Sequence, residues 1–216
     1  MRKAEHKTDP KNAKEWTKIP SSTTLDKTIE ALRKRNYTVV LLENKVQALQ
    51  KLKESIPAGA EVMTGSSTTL QQIGFMDYYL SGKNPWKCLA VQVREENDAE
   101  RRNTLRRKSV TAEYFLGSVG AVAETGELVA VDQSGSRVGA YPFAAKKVML
   151  VVGYQKITPN LEQAMRRIRE YVYYLEDERA RKAYGVGTTF GKWVIIEREI
   201  MKDRITILLV REPLGF

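Results

Sequence analysis

The sequence predicts an α/β protein, a three-layer α/β/α domain built around a mainly parallel sheet. A strand-like apolar run at residues 37–42 is followed by a helical pattern at 44–56 and a second strand-like run at 61–64. This strand–helix–strand order is a βαβ unit, which places parallel strands in a sheet with helices on its faces. The almost uninterrupted apolar run at 147–153 is typical of a strand that is buried on both faces.

The other elements are predicted from local patterns in chain order. A helix is expected from Thr23, where apolar residues recur at spacings of four and three, namely Leu25, Ile29 and Leu32. A long polar helical region is predicted at 86–114. The glycine of a tight turn, Gly126, indicates a hairpin or a sharp strand bend. The last two strands are expected at 193–199 and 205–211, on either side of a short turn.

Two helix starts are indicated by residues that can cap free backbone amides. Thr68 and Gln71 have the spacing of a capping box, so we expect a helix to begin at Thr68. Thr158 followed by Pro159 fits an N-cap and a first helical residue. The apolar stripe after Thr158 is interpreted as ordinary core packing.

Length and composition fit one domain with an appended arm. The chain has 216 residues, of which 42% are hydrophobic and 29% charged, the balance of a soluble globular protein. We expect an N-terminal arm at 1–22 and the α/β domain at 23–216. The charged N-terminus lacks the apolar stretch of a signal peptide, and no apolar run approaches the roughly 18 residues of a membrane span. We therefore expect a cytoplasmic protein without membrane contact.

The rarity of cysteine and histidine limits the chemistry. With one cysteine, Cys88, the chain has no intrachain disulfide and no CxxC metal site. With one histidine, His6, in the charged arm, Ser-His-Asp triads and HExxH zinc sites are disfavoured. We expect no metal and no cofactor, and any reaction must use carboxylates, lysine, arginine, hydroxyls or backbone amides.

The net charge favours anionic partners. The chain has 36 basic and 26 acidic residues, which gives a net charge of +10. Such an excess attracts phosphates, CoA-type ligands, nucleic acid or acidic proteins, and equally fits a solvated basic surface. The basic block at 101–108 is interpreted as an ion-paired solvent-facing helix, because it contains no interleaved aromatic residues for stacking on bases.

A Gly-Ser-Ser loop after the predicted strand 61–64 is the first candidate binding site. Open α/β sheets bind ligands at the carboxyl ends of their strands. Hydroxyls beside the free amides of a helix start favour an anion, although the loop also fits a simple helix cap. It is not a Walker A motif, because the GxxxxGK[ST] spacing is absent. The residues assigned here to ligand binding are Gly65, Ser66, Ser67 and Thr68.

A second candidate site follows the predicted strand that ends at Ala123. A carboxylate at a buried strand end can act as a nucleophile or general base, so Glu124 is the candidate catalytic residue. It can equally cap the turn or pair with Arg137. An arginine after a flexible polar loop can bind a phosphate or carboxylate through two hydrogen bonds. The residues assigned here to ligand binding are Thr125, Gly126, Ser134, Gly135 and Arg137.

Several segments of the chain share a characteristic order and spacing, namely residues 65–68, 73–74, 117–129, 134–137, 142, 150–153, 156–157 and 161–164. Together, over roughly residues 25 to 216, they resemble the LUD (lactate utilization protein) domain family.

The resemblance implies the fold shared by ribose-5-phosphate isomerase and CoA transferases. It also implies an association with the oxidation of L-lactate to pyruvate by a multi-subunit iron–sulfur system. Because the cysteine-rich segment of one family subunit is absent, this chain is not expected to be the iron–sulfur subunit. Its ending at 211–216 also differs from the tail of the lactate-operon subunit.

Three functional hypotheses follow, and whether the chain is an enzyme stays open among them. The first is a protein that binds a small anionic metabolite and assists lactate or 2-hydroxy acid oxidation, with iron–sulfur or oxidoreductase subunits in trans. The second is an enzyme of CoA-transferase or sugar-phosphate isomerase type that uses Glu124. The third is a module that binds nucleic acid or acidic proteins. A homo-oligomer is compatible with each.

Overall fold

A parallel sheet of six strands forms the centre of the computed structural model, which describes residues 10–216. All five strand pairings in this large sheet are parallel. The strands lie in the order β1 (Thr38–Leu42), β10 (Ile205–Val210), β7 (Lys147–Gly153), β4 (Tyr114–Gly117), β2 (Glu61–Thr64) and β3 (Lys87–Cys88). The predicted α/β class with a mainly parallel sheet is confirmed.

A second, smaller sheet packs beside the first. Its strands lie in the order β8 (Ile157–Thr158), β5 (Ala121–Ala123), β6 (Leu128–Asp132) and β9 (Lys192–Ile196). β5 and β6 form the hairpin predicted around Gly126, and β6 also pairs antiparallel with β9. The sequence indicated the hairpin and a strand at 193–199, but not that they form a separate sheet. This sheet separates β9 from β10, which lie next to each other along the chain but belong to different sheets.

Helices surround the two sheets. Their bounds are α1 (Pro10–Trp16), α2 (Ser22–Lys34), α3 (Lys45–Ser55), α4 (Thr68–Gln72), α5 (Phe75–Leu80), α6 (Leu89–Glu95), α7 (Ala99–Lys108), α8 (Ser136–Gly139), α9 (Leu161–Arg167) and α10 (Tyr173–Tyr184). The region at 86–114, predicted as one long helical region, instead contains β3, α6, α7 and a short 3₁₀ turn. No helix in the described range 10–216 is both long and apolar enough to cross a membrane.

Two helix caps differ from the predicted ones by one or two residues. Ser67, not Thr68, caps α4, because its hydroxyl accepts a hydrogen bond from the Leu70 amide at 3.3 Å. Asn160, not Thr158, caps α9. Thr158 is unavailable as a cap because it is part of β8, where its hydroxyl donates to the Val122 carbonyl at 3.3 Å.

The core lies on both faces of the large sheet. Within β7, Val148, Leu150 and Val152 face α2 and the small sheet. Met149 and Val151 face α3, α4 and α5 on the other side. Helix α9 covers the outer face of the small sheet. The large sheet is therefore buried on both sides, which explains why its strands are recognisable as continuous apolar runs.

The N-terminal arm predicted at 1–22 begins outside the described residues, and His6 lies there. In the described part, α1 ends at Trp16, which is only 4% exposed. The Trp16 carbonyl accepts hydrogen bonds at 3.3 Å from the buried guanidinium of Arg167 in α9. Residues near position 16 thus pack against the α/β domain.

Candidate functional site

A cavity with a volume of ≈ 670 Å³ opens at the carboxyl edge of the large sheet. The segments that follow β2, β4 and β7 form its floor. The end of β6 and α8 form one wall, and α10 forms the opposite wall. This is the edge at which open parallel sheets bind ligands.

The loop after β2 contributes hydroxyl groups to the cavity. Ser66, Ser67 and Thr68 all line it. The Thr68 hydroxyl oxygen is buried and has no hydrogen-bond partner in the described structure. A buried polar atom without a partner is costly, so this hydroxyl is available to a ligand.

Arg137, which belongs to α8, packs against this loop from the wall formed by β6 and α8. Its amide donates to Asp132 Oδ2 at 2.9 Å, and its Nη2 lies 3.6 Å from Asp132 Oδ1. The arginine stem packs on Gly65, where an added Cβ would lie 2.7 Å from Arg137 Cδ. Glycine at position 65 is therefore required for the close approach of the arginine. The Arg137 side chain is 24% exposed and so remains accessible from the cavity.

Lys156 lies at the floor of the cavity, in the 3₁₀ turn that follows β7. The residue is only 2% exposed. In the described chain no carboxylate lies within ion-pair distance of its amine, which contacts two hydroxyls and one carbonyl instead. Burial lowers the pKa of Lys156 well below its usual range, and the nearby charges of Arg167 and Arg137 lower it further.

Tyr141 supports the floor from below. Its side chain is fully buried, and its hydroxyl donates to the Ser118 carbonyl at 3.2 Å. Burial raises the pKa of Tyr141 to about 12. The ring fits because β4 ends in Gly117, where a Cβ would overlap the Tyr141 hydroxyl.

Cationic side chains outnumber acidic ones around the cavity. The cationic residues that line it are Arg94, Arg106, Arg137, Lys156 and Arg179. The two acidic residues, Asp132 and Glu176, are each paired with an arginine of this group. Arg94, Arg106 and Lys156 have no carboxylate partner among the described residues. The cavity thus has an unbalanced positive charge, which favours an anionic ligand.

Aromatic residues form the outer part of the wall near α10. Tyr173 and Phe190 have ring centroids 4.6 Å apart, and both line the cavity. The Tyr184 hydroxyl lies 3.5 Å from Ser66 Oγ across the opening. The hydrogen bond with Ser66 and the nearby Arg179 lower the pKa of Tyr184. These rings give the entrance an apolar side.

The structure brings together some, but not all, of the residues predicted as a site. The predicted residues that line the cavity are Gly65, Ser66, Ser67, Thr68, Ser134 and Arg137. Gly135 lies in the same loop without lining it. The turn at 124–126 does not line the cavity, so Glu124, Thr125 and Gly126 lie apart from the other predicted site residues.

Arg35, at the end of α2, holds the turn that contains Glu124. Its Nε donates to the Thr125 carbonyl at 2.6 Å, and its Nη2 pairs with Glu127 at 2.5 Å. The Glu124 amide donates to the Thr158 carbonyl at 2.8 Å, which ties the turn to β8. These contacts join α2 to the small sheet.

The residue that sequence reasoning missed is Lys156. The sequence feature that could have indicated it is its position, three residues after the buried strand β7 and thus at the carboxyl edge of the sheet. Arg106 was interpreted as part of a solvent-facing block, yet its Nη2 donates to Ser134 Oγ at 2.6 Å at the cavity rim. Among the described residues there is no cluster of three or more His, Cys, Asp or Glu side chains placed to bind a metal ion.

Comparison with known proteins agrees with this architecture. The family model of the LUD domain matches residues 25–210. The crystal structure of a DUF162 family protein from Deinococcus radiodurans is similar, with a TM-score of 0.53 and 10% sequence identity. The alignment covers 88% of this chain and 99% of that one, and it shows a common fold. No curated protein sequence matches the chain. The match over residues 25–210 shows that the chain belongs to the LUD domain family.

Proposed function

We propose that the cavity binds a small anionic metabolite, a carboxylate or phosphate. The observation that supports this most directly is the excess of arginine over carboxylate at the cavity, where Arg94 and Arg106 have no carboxylate partner among the described residues and Arg137 lines the same cavity. An anionic ligand offsets this positive charge. In this arrangement Arg137 binds the anion, while the Ser66–Thr68 hydroxyls supply further hydrogen bonds.

Within this class, L-lactate and its oxidation product pyruvate are the ligands that the family association favours. In this proposal the protein works in the cytoplasm beside iron–sulfur or oxidoreductase subunits that are supplied in trans. The chain itself supplies the binding cavity.

Thermal denaturation with added anions tests the proposal. Phosphate, L-lactate, pyruvate and a CoA thioester are each added to the purified protein. A ligand at a hundredfold excess over its Kd stabilises the folded state by about 2.7 kcal/mol. For a domain of this size that corresponds to a rise in Tm of about 5–11 °C.

Two variants with the same charge change make the test specific. Arg137→Gln is expected to abolish most of the ligand-induced rise in Tm, because it removes the guanidinium from the cavity. Arg211→Gln removes an exposed arginine outside the cavity and is expected to preserve the rise. The proposal is wrong if no anion raises Tm, or if both variants respond to the anion as the wild type does.

A third variant addresses the enzyme hypothesis based on Glu124. Glu124→Gln is expected to leave the anion-induced rise in Tm unchanged, because this side chain does not line the cavity. Loss of the rise in this variant would instead favour an enzyme of CoA-transferase or sugar-phosphate isomerase type that uses Glu124.

A further inference from the structure

The amine of Lys156 is held in one position by three groups. Its Nζ lies 3.0 Å from Thr69 Oγ1 in α4, 3.0 Å from Ser118 Oγ and 3.2 Å from the Val119 carbonyl oxygen. Thr69 and Ser118 are themselves buried. The amine is therefore fixed at the cavity floor rather than extended into solvent, as an ordinary lysine would be.

The groups that hold the amine carry no negative charge. The Ser118 hydroxyl has one proton, and it donates to the Val151 carbonyl at 2.7 Å, so Ser118 Oγ accepts from Lys156. The Val119 carbonyl can only accept, and Thr69 Oγ1 accepts from Lys156 at 3.0 Å. The amine is therefore held by neutral acceptors, which do not offset a buried positive charge as a carboxylate would.

The charges around the amine also favour the neutral form. Arg167, fully buried, donates to the Gly120 carbonyl at 2.5 Å, and Arg137 lines the same cavity as Lys156. Both cations disfavour a third positive charge, in addition to the cost of burial. A desolvated lysine beside other cations is the arrangement that makes an amine nucleophilic toward carbonyl carbon.

We propose that Lys156 is a nucleophile that forms an imine with a small 2-oxo acid bound in the cavity. This inference rests on the anion binding proposed above, since Arg137 binds the carboxylate and thereby places the adjacent carbonyl near the amine. The lone pair of Nζ forms a bond to the carbonyl carbon as the C=O π bond opens, and one of the two amine protons passes to the carbonyl oxygen. The resulting carbinolamine then loses water, made from its hydroxyl and the remaining amine proton, to give the C=N bond. No oxidant or reductant is needed.

Reductive trapping on the wild-type protein tests this step. The full chain is incubated with pyruvate and cyanoborohydride, and the modified lysines are identified by peptide mass spectrometry. Lys147, exposed at the start of β7, is the matched internal control. Each unit by which a lysine pKa is lowered gives about tenfold more neutral amine at neutral pH, so we expect Lys156 to react at least about tenfold faster than Lys147. Equal or slower reaction at Lys156 overturns the inference.

Two additions distinguish failure of this inference from failure of the proposed function. L-lactate has the carboxylate but no carbonyl, so it is expected to slow the trapping of pyruvate at Lys156. If L-lactate raises Tm through Arg137 while pyruvate does not modify Lys156, anion binding stands and the imine is refuted. If acetone, a ketone without charge, modifies Lys156 as fast as pyruvate does, the amine is reactive but recognition of the carboxylate is refuted.

Variants of Lys156 complete the experiment. Lys156→Arg cannot form an imine, so it is expected to lose trapping at this position. Lys156→Met serves as the second variant, because methionine has a similar length and no charge. The wild-type labelling result decides the question even if either variant fails to fold.

Discussion

Replacement of Lys156 by methionine should change how the stability of the protein depends on pH. In the unfolded chain the amine has a pKa near 10.4, whereas burial lowers the pKa in the folded protein. Between these two pKa values the unfolded state binds one proton more than the folded state. The free energy of unfolding therefore rises with pH in this window, and Lys156→Met loses this contribution.

The size of the effect follows from one proton. The slope reaches at most about 1.4 kcal/mol per pH unit, so between pH 8 and 9.5 the wild type gains up to about 2 kcal/mol relative to the variant. The groups that titrate in both proteins cancel in this difference. The interval ends below pH 10 because buried tyrosines begin to oppose folding above that value.

Urea denaturation of both proteins at pH 8, 8.5, 9 and 9.5 measures the difference. Equal m values in the two proteins are required for the comparison. Lys147→Met, at an exposed site, is the control and should give a difference that does not change with pH. A constant difference between wild type and Lys156→Met would show that Lys156 keeps its proton on folding, and the electrostatic argument would then fail.

Three further outcomes are expected. Glu199→Gln breaks the buried ion pair with Arg204, in which the two side chains are 7% and 4% exposed and 2.6 Å apart. The change should lower the free energy of unfolding by about 3–5 kcal/mol and Tm by about 6–20 °C in a calorimetric scan. Gly117→Ala should lower the free energy of unfolding by about 1–3 kcal/mol, because the added methyl group overlaps the Tyr141 hydroxyl. Adding Tyr141→Phe to this variant should restore part of the lost stability. Because the pKa of Tyr141 is about 12 when folded and about 10 when unfolded, stability should fall as pH rises above 10, and less steeply in Tyr141→Phe. Equal alkaline slopes for the two proteins would contradict this last expectation.

The large sheet could be predicted because its strands carry their own signal. A strand such as β7, buried on both faces, must be apolar at nearly every position, and this is visible in the sequence without its neighbours. Two strands of the small sheet, β5 and β8, lack such a signal. β5 has three residues and β8 two, and short stretches of this kind are defined by their partners rather than by their own pattern.

The candidate site was predictable only where its residues are close in sequence. The loop at 65–68 follows its strand directly, so the position of its hydroxyls could be inferred. Lys156 depends on Thr69 and Ser118, which are 87 and 38 residues away. The turn with Glu124 is similar in this respect, because Arg35, which holds it, lies about 90 residues earlier. Side-chain environments made by distant segments do not show in local patterns.

The link between the two sheets has a consequence for dynamics. The chain passes from β4 to β5 through only three residues, 118–120, and each of them contacts a buried amine or guanidinium group. Ser118 and Val119 accept from Lys156, and Gly120 accepts from Arg167. A ligand that draws the Lys156 amine away from these acceptors weakens the attachment of the small sheet to the large one. Occupancy of the cavity and local opening of the small sheet are therefore coupled. The rate of amide hydrogen exchange in β5 and β6 should change when a ligand binds, although the ligand lies outside those strands.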